Sequence, residues 1–399
     1  MQISSRVQAV NPSATLQITT RAKGMRKSGI DVVNFAAGEP DFDTPQPIKD
    51  AAIKAVNDGF TKYTPSSGMP ELKERIVKKL KDENNLQYLP EQIVVSCGAK
   101  HSIFNLIQVL VNKGDQVVIP SPYWVSYTEM VKLAQGKPVI LDTYQKQKDD
   151  FKINIDKLNK KINSSTKLLI LNSPSNPAGT VYSKEELQEI AEVCIENKLF
   201  VISDEIYEKI IFDDVSAVSL ASLGKEIYDL TLTVNGISKS FSMTGWRIGY
   251  FAGSQEVAAA VTKLQDHSTS CPSSISQKAA LAALDMDTGY FASIKTKFQE
   301  RRNFILSYLD EKLSEFVGYI KPQGAFYIFV NISKTKLDSI DFAKRLLEES
   351  HVAVIPGGPF GFNSWIRISF ATSTEEIKKG LQRLEIFLIK LKTERLTQS

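Results

Sequence analysis

One lysine of this 399-residue chain stands among small hydroxyl and glycine residues, directly after an apolar β-like run. The run covers residues 230–234, and Lys239 follows it between Ser238 and Gly245, with Arg247 eight positions after the lysine. A lysine amine that is desolvated beside another cation has a lowered pKa and can form a Schiff base with an aldehyde. This stretch therefore predicts that Lys239 binds the aldehyde of pyridoxal phosphate and that Arg247 helps to hold the phosphate.

A carboxylate and a tyrosine follow a second apolar run, residues 200–203. Asp204 at this strand end is costly to bury unless it is paired, and a protonated ring nitrogen would pair it and keep the ring an electron sink. Tyr207, three residues on, could bond the ring oxygen of the same cofactor. A helix N-cap for Asp204 and a core position for Tyr207 are the alternatives.

Two further strand ends carry polar or small residues. Asn176 lies in the dense turn segment 172–180 and could donate to a phenolate-like oxygen, or it could serve only as a turn residue. Gly98 precedes a helix after the run 93–96, and free backbone N–H groups at such a turn can bind an anion. Since most α/β proteins contain turns of this kind, a purely structural role for Gly98 is the alternative.

An arginine lies within a strand-like segment near the C-terminus. The alternation of residues 365–370 places Arg367 on the face opposite three apolar residues, so it faces polar space. A guanidinium binds a carboxylate through charge-assisted bonds of roughly 1.5–3 kcal/mol each, enough to select amino and keto acids over neutral amines. A surface salt bridge is the alternative role for Arg367.

The elements that would position these residues alternate between short strands and helices, which is typical of an α/β protein with a parallel sheet. In such sheets ligands bind at the carboxyl ends of the strands. The predicted strands cover 93–96, 116–119, 138–141, 168–171, 200–203, 230–234 and 248–252. After about residue 274 the pattern predicts a long helical tract to 313, strands at 325–330, 352–355 and 365–370, and helices at 340–349 and 374–392, an α+β arrangement.

Composition and charge argue against several classes of protein. The net charge is only +4 and is not gathered into runs, which disfavours a nucleic-acid partner. Cys97, Cys194 and Cys271 lack a CxxC spacing, and only three histidines accompany them, so we expect neither a disulfide framework nor a metal site. The N-terminus has no apolar run as long as the core of a signal peptide, and no run in the chain approaches the roughly 18 apolar residues of a membrane span. We therefore expect a cytoplasmic protein with no membrane contact.

Several motifs together resemble those of the class I aminotransferases of fold type I. They are residues 172–177, 204–207, 238–239, 245–249 and 367–369, with a further match in the loop 38–42, and the likeness extends from about residue 12 to 387. It implies a PLP-dependent transferase fold with a large domain, residues 45–285, built on a mostly parallel seven-stranded sheet. Residues 1–44 and 286–399 would form a smaller α+β domain with an N-terminal arm.

The resemblance also implies roles for single residues around the cofactor. Lys239 would hold it covalently, Asp204 would pair with its pyridine nitrogen, Tyr207 and Asn176 would bond its ring oxygen, and Trp124 would stack on the ring. The residues implied around the phosphate are Gly98, Ala99, Lys100, Ser238 and Arg247. Tyr63 would reach the phosphate of the neighbouring subunit, which requires a homodimer with shared active sites.

The same resemblance implies how substrates bind. Gly38 and Arg367, assisted by Asn176, would hold the α-carboxylate, with Trp124 beside the substrate. Ser13, Thr15 and Lys100 match the bacterial aspartate-specific subgroup, in which a lysine binds the distal carboxylate. The implied reaction is ping-pong amino transfer between L-aspartate and 2-oxoglutarate, with prephenate as an open second substrate.

Two alternatives use the same fold differently. One is a PLP-dependent carbon–sulfur lyase or decarboxylase, against which Arg367 together with Ser13, Thr15 and Lys100 argues; another amino-acid aminotransferase on the same fold stays open. The other is a non-enzymatic regulator fused to a DNA-binding helix-turn-helix. We expect no such unit, because only about 40 residues precede the catalytic-type domain.

Overall fold

The structure is a computed structural model that describes residues 3–145, 150–287 and 289–397. The side chains of residues 14 and 15 lie outside this description, so the sequence prediction for the Thr15 side chain falls outside it as well. Thr15 belongs to an N-terminal helix, Ala14–Lys27.

The strands and helices are numbered here in chain order. The strands are β1 Val33–Asn34, β2 Ile93–Ser96, β3 Gln116–Ser121, β4 Lys137–Asp142, β5 Tyr144–Gln145, β6 Asp150–Phe151, β7 Thr166–Asn172, β8 Phe200–Asp204, β9 Thr231–Gly236, β10 Gly249–Ala252, β11 Gly318–Tyr319, β12 Tyr327–Asn331, β13 Val352–Ala353, β14 Ile355–Pro356 and β15 Trp365–Ser369. The α-helices are α1 Ser5–Gln8, α2 Ala14–Lys27, α3 Gln46–Asn57, α4 Pro70–Asn84, α5 Ala99–Leu110, α6 Ser126–Leu133, α7 Ile155–Lys161, α8 Lys184–Glu196, α9 Lys225–Leu230, α10 Gln255–Asp266, α11 Ser274–Leu284, α12 Gly289–Tyr308, α13 Ser339–Ser350 and α14 Thr374–Thr397.

The central sheet has seven strands in the order β2-β10-β9-β8-β7-β3-β4. Every neighbouring pair is parallel except the two that involve β10, which runs antiparallel to both β2 and β9. Each of the seven predicted strands contributes to this sheet. The sequence prediction of a mostly parallel seven-stranded sheet is therefore confirmed.

Both faces of this sheet are buried, because alternate residues of its strands pack into different apolar clusters. On β3, Val117 and Ile119 join a cluster with residues of α5, α6 and α10, whereas Val118 joins a cluster with residues of α8. Strands covered on both faces consist almost wholly of apolar residues, which explains why the apolar runs located them in the sequence.

The register of β7 and β8 brings polar residues together at one edge of the sheet. Asn172, the last residue of β7, pairs with Asp204, the last residue of β8. Asp204 in turn pairs with Val234 in β9, five residues before Lys239. The carboxyl ends of three adjacent parallel strands thus place Asn172, Asp204 and Lys239 side by side.

A second, antiparallel sheet has four strands in the order β11-β12-β15-β14. The short strand β1 pairs in parallel with β13, and α14 packs on it so closely that a Cβ atom on Gly380 would lie 2.3 Å from Cζ of Phe35. The N-terminal residues therefore pack with the C-terminal part of the chain. The division into domains at residues 44 and 285 remains a prediction.

The structure corrects two sequence predictions in the second half of the chain. The predicted strand 352–355 is two short strands, β13 and β14, and the long helical tract consists of α11 and α12 followed by a π-helical turn at Leu309–Leu313. The helix predicted to follow Gly98 is α5, which begins at Ala99 because Gly98, with φ +90°, turns the chain directly into it.

The helices of the described residues include none that is both long and apolar enough to cross a membrane.

Candidate active site

A cavity of about 340 Å³ opens at the carboxyl ends of the central strands. Its walls come from the central sheet, from the four-stranded sheet and from the N-terminal segment. It brings together the predicted site residues Ser13, Gly38, Ala99, Lys100, Trp124, Asn176, Asp204, Tyr207, Ser238, Lys239, Arg247 and Arg367. Tyr63 does not line it and is 88% exposed.

Lys239 reaches the centre of this cavity. Its Nζ donates a hydrogen bond to the carbonyl oxygen of Gly38 at 2.5 Å. The pKa of Lys239 is lowered from 10.5 to about 8, mainly by burial, with smaller contributions from the charges of Arg367 and Arg247 and an opposing one from Glu39. The predicted depression of this pKa is therefore present, with desolvation as its main cause. The amine is neutral to a useful extent near physiological pH.

Asp204 is buried, with 4% of its surface exposed. Its carboxylate accepts hydrogen bonds from the hydroxyl of Tyr127 at 2.6 Å and from the backbone N–H of Ile206 at 3.3 Å. Burial raises the pKa of Asp204 to about 6, against the effect of the Tyr127 hydrogen bond and of the Lys239 charge. A turn follows Asp204 rather than a helix, so the alternative of a helix N-cap is wrong.

Arg367 is 2% exposed on β15, which rules out the alternative of a surface salt bridge. Its Nη1 donates to Oδ1 of Asn176 at 3.1 Å and its Nη2 to the carbonyl of Ala36 at 2.9 Å. Within the described residues, Nε has no hydrogen-bond acceptor. A buried guanidinium with an unused N–H and no carboxylate bound to it within the described part of the chain can receive an anionic group from the cavity.

Asn176 is held in place by its own loop. Its backbone N–H donates to Oδ1 of Asn172 at 2.9 Å, and its side chain accepts from Arg367, so it does more than form a turn. The peptide bonds Ser121–Pro122, Ser173–Pro174 and Asn176–Pro177 are cis.

Arg247 and the start of α5 form a cradle of N–H groups. The guanidinium donates to the carbonyls of Cys97 at 3.0 Å and Thr244 at 2.8 Å. It lies so close to Gly98 that a Cβ atom there would be 2.2 Å from its Nη2, and a Cβ on Gly249 would be 2.1 Å from the backbone nitrogen of Ala99. Glycine at both positions is needed for the Arg247 guanidinium and the first turn of α5 to lie this close together. A cation beside a helix N-terminus is an arrangement that can bind phosphate.

Lys100 and Trp124 lie next to each other in the wall of the cavity. Lys100 Nζ is 4.7 Å from the centre of the Trp124 ring, and its pKa is lowered by burial and by the charge of Arg247. Ser13 caps α2 by accepting a hydrogen bond from the backbone N–H of Leu16 at 3.4 Å. Ser13, Lys100 and Arg247 also line an adjoining cavity of about 950 Å³.

The sequence motifs do not identify two tyrosines of the site. Tyr127 binds Asp204, and the hydroxyl of Tyr327 lies 2.9 Å from that of Tyr207. These partners are 77 and 120 positions apart, and neither tyrosine directly follows the carboxyl end of a predicted strand. For Tyr327 the one indication in the sequence is the alternating pattern of its strand, which assigns the side chain to one face of the sheet.

The chain is similar to known proteins in sequence and in structure. The model of the family described as "Aminotransferase class I and II" matches residues 30–384. An aspartate aminotransferase of Bacillus sp. (strain YM-2) is 47% identical over 393 residues, covering 97% of this chain and 99% of the relative. A probable aspartate/prephenate aminotransferase of Rickettsia bellii is 47% identical over 394 residues, with coverage of 96% and 98%. The structure of Thermus thermophilus aspartate aminotransferase with maleate superimposes with a TM-score of 0.91 at 39% identity, covering 96% of this chain and 99% of that one.

Proposed function

We propose that this chain, which belongs to the class I and II aminotransferase family, transfers the amino group between L-aspartate and 2-oxoglutarate. The products are oxaloacetate and L-glutamate. The observation that carries the proposal is the buried guanidinium of Arg367, whose Nε lacks an acceptor in the described part of the chain and which lines the same cavity as the Lys239 amine. An amino acid bound by its carboxylate at Arg367 would present its other groups to Lys239.

The residues of the cavity suit pyridoxal 5'-phosphate, the cofactor that the family implies. The pKa of Asp204 is raised because burial disfavours its charged form. A protonated ring nitrogen beside the carboxylate would stabilise that charge. Tyr207 and Asn176 would hold the ring oxygen, and Trp124 would cover the ring. Bound here, the cofactor supplies an electron sink for the electrons that remain when the substrate loses its α-proton.

The phosphate would lie in the cradle at the start of α5. The backbone N–H groups of Ala99 and Lys100, the Ser238 hydroxyl and the Arg247 guanidinium converge there, and Gly98 leaves the room for them. Helix N-termini and guanidinium groups both favour a dianion. This donor set would suit the phosphate of the cofactor.

Lys239 would act as the covalent anchor and as the proton carrier of the reaction. A proton carrier must be partly deprotonated at the working pH, and its protonated form must be acidic enough to give the proton back. A pKa of about 8 meets both requirements near neutral pH. The Nζ atom of Lys239 would take the α-proton of the substrate and hold it until it is given back. Its bond to the Gly38 carbonyl would hold it in position between these steps.

The preference for dicarboxylates rests on Lys100. Its amine, partly buried beside Trp124, could bind the distal carboxylate of aspartate or glutamate, with Ser13 completing that subsite. The Thermus relative was solved with maleate, a dicarboxylate. Because the Rickettsia relative is named for prephenate as well, transamination of prephenate with glutamate is the second activity to test.

The assembled enzyme would be a cytoplasmic homodimer that shares its active sites. Tyr63 is exposed and follows α3, on which Ile53 and Val56 also expose apolar side chains. An exposed apolar surface of this kind favours contact with a second copy, in which Tyr63 would reach the phosphate of the neighbouring subunit. Residues 45–285 would form the large domain, and the pairing of β1 with β13 supports grouping residues 1–44 with 286–399.

A panel of amino donors and keto acceptors tests this proposal. L-aspartate with 2-oxoglutarate should yield oxaloacetate, measured with malate dehydrogenase and NADH, and Lys239→Ala should abolish that turnover. Pyruvate and ammonia in place of oxaloacetate would favour the carbon–sulfur lyase instead. Unchanged turnover in Lys239→Ala would overturn the assignment of this lysine.

A further inference from the structure

Tyr327 also lines the cavity, close to three residues of the site. It is 1% exposed on β12, where it pairs with Ser369, while Phe329 on the same face pairs with Arg367. This register sets the Tyr327 ring diagonally under the Arg367 guanidinium, 4.3 Å from ring centre to Cζ. Its hydroxyl lies 2.9 Å from that of Tyr207 and 3.6 Å from the place of a Cβ atom on Gly38.

The two hydroxyl groups share one hydrogen bond, and its direction matters. A phenol has a single proton to donate and two lone pairs with which to accept. If Tyr207 donates to Tyr327, it has no proton left for any other acceptor. If Tyr327 donates to Tyr207, the Tyr207 proton is free to point into the cavity.

The electrostatics favour Tyr327 as the donor of this pair. Burial, the largest cause, raises the pKa of both hydroxyls, and that of Tyr207 is raised well above its usual value. The Arg367 charge lowers the pKa of both hydroxyls, as the second-largest cause for Tyr327 and as a smaller one for Tyr207. Tyr327 and Asp204 raise the pKa of Tyr207, and Glu39 raises that of Tyr327. The more acidic hydroxyl is the better donor, and the cation over its ring makes Tyr327 the more acidic of the two.

We propose that Tyr327 is a positioning residue that donates its proton to Tyr207 and thereby directs the proton of Tyr207 to the ring oxygen of the cofactor. The inference rests on the proposed function, because the acceptor belongs to pyridoxal phosphate. Tyr327 itself acts only through Tyr207. A hydroxyl that accepts one hydrogen bond also becomes a stronger donor in the next, so the pair holds the ring oxygen better than Tyr207 alone.

Spectroscopic titration of the cofactor-loaded protein tests this inference without measuring turnover. The pH midpoint of the visible absorbance depends on how well the negative charge on the ring oxygen is stabilised. Tyr207→Phe removes the donor and should raise the midpoint. Tyr327→Phe keeps the ring under Arg367 and removes only the hydroxyl, so it should raise the midpoint by a smaller amount, roughly 0.3–1 pH unit, the size of one neutral hydrogen bond.

The double variant distinguishes action through Tyr207 from an independent effect. We expect Tyr207→Phe/Tyr327→Phe to have the midpoint of Tyr207→Phe alone, since the second hydroxyl has nothing left to position. Tyr182→Phe is the matched control: it removes another buried hydroxyl, which accepts from the backbone N–H of Ile153, and should leave the midpoint unchanged. Thermal melting of each variant checks folding, and Tyr327→Leu repeats the test if Tyr327→Phe does not fold.

Two results would overturn the role of Tyr327 and leave the proposed function intact. In the first, Tyr207→Phe moves the midpoint and Tyr327→Phe does not. In the second, the two shifts add in full in the double variant, which would make Tyr327 independent of Tyr207. If neither variant moves the midpoint, or if the wild-type protein binds no cofactor, the assignment of Tyr207 in the proposed function fails as well.

Discussion

The apoprotein should attach pyridoxal phosphate with a pH profile that follows the neutral form of Lys239. Only the neutral amine attacks an aldehyde. With a pKa of about 8, roughly a quarter of the amine is neutral at about pH 7.5, whereas a lysine with the ordinary value of 10.5 would be about one part in a thousand neutral. Burial in this cavity therefore raises the reactive fraction by about two orders of magnitude at neutral pH.

Stopped-flow absorbance after mixing apoprotein with the cofactor measures this profile. The attachment rate should rise with pH and level off above about pH 8. Glu39→Gln provides a change of charge at nearly constant shape, because glutamine can still accept the hydrogen bond that Thr244 donates to Glu39 at 2.8 Å. Since Glu39 raises the pKa of Lys239, this variant should shift the midpoint to lower pH.

A midpoint near 10.5 would refute the reasoning, because it would mean that the cavity does not desolvate the amine. A shift of Glu39→Gln to higher pH would refute the sign of the Glu39 effect. Lys239→Ala, which should show no covalent attachment at any pH, gives the baseline for both measurements.

Three further predictions concern stability and substrate choice. Lys239→Met should raise the melting temperature of the apoprotein below about pH 8 by removing a buried cation, a gain of no more than roughly 3 kcal/mol that shrinks as pH rises from about 8 to 10.5. Arg302→Met should lower the free energy of unfolding by roughly 1–3 kcal/mol in a denaturant titration, since Arg302 is fully buried and bonds Asp213. This loss should shrink as pH falls from 3.8 to about 2, because Arg302 and Lys321 lower the pKa of Asp213 from 3.8 to about 2 and protonation at the lower end breaks the pair. Lys100→Gln should raise the KM for aspartate about 10- to 100-fold and leave that for alanine unchanged in steady-state assays.

The seven central strands could be predicted from the sequence because each is buried on both faces. A strand such as Leu168 to Leu171 has no polar face, so it stands out as an apolar run, and parallel topology then assigns function to the residues that follow it. The predictions of Asp204, Asn176 and Lys239 as site residues rest on this rule. The strands near residue 354 are harder to predict, because β13 and β14 have two residues each and are too short to show an alternating pattern.

The supporting contacts could not be predicted in the same way, because they depend on side chains from distant segments. Nothing near Tyr127 indicates that its hydroxyl binds Asp204, since α6 reaches that carboxylate only through the packing of the sheet. Likewise Gly249 looks like an ordinary glycine at the start of β10 until its position against the backbone of Ala99 is known. Sequence motifs identify the groups that perform chemistry, whereas the groups that hold them are defined by tertiary contacts.

The charges of the cavity explain why these groups need ligands. Four cations line the cavity, Lys100, Lys239, Arg247 and Arg367, and Asp204 is the one carboxylate among the described residues that line it. Burial lowers the pKa of Lys100, Lys239 and Arg367, and the charges of neighbouring cations lower that of the two lysines further, so these positive charges are costly to hold in the cavity. A phosphate dianion in the cradle of Arg247 and a dicarboxylate between Lys100 and Arg367 would each relieve part of that cost. If cofactor and substrate bind to these four cations as proposed, each ligand should raise the melting temperature of the protein.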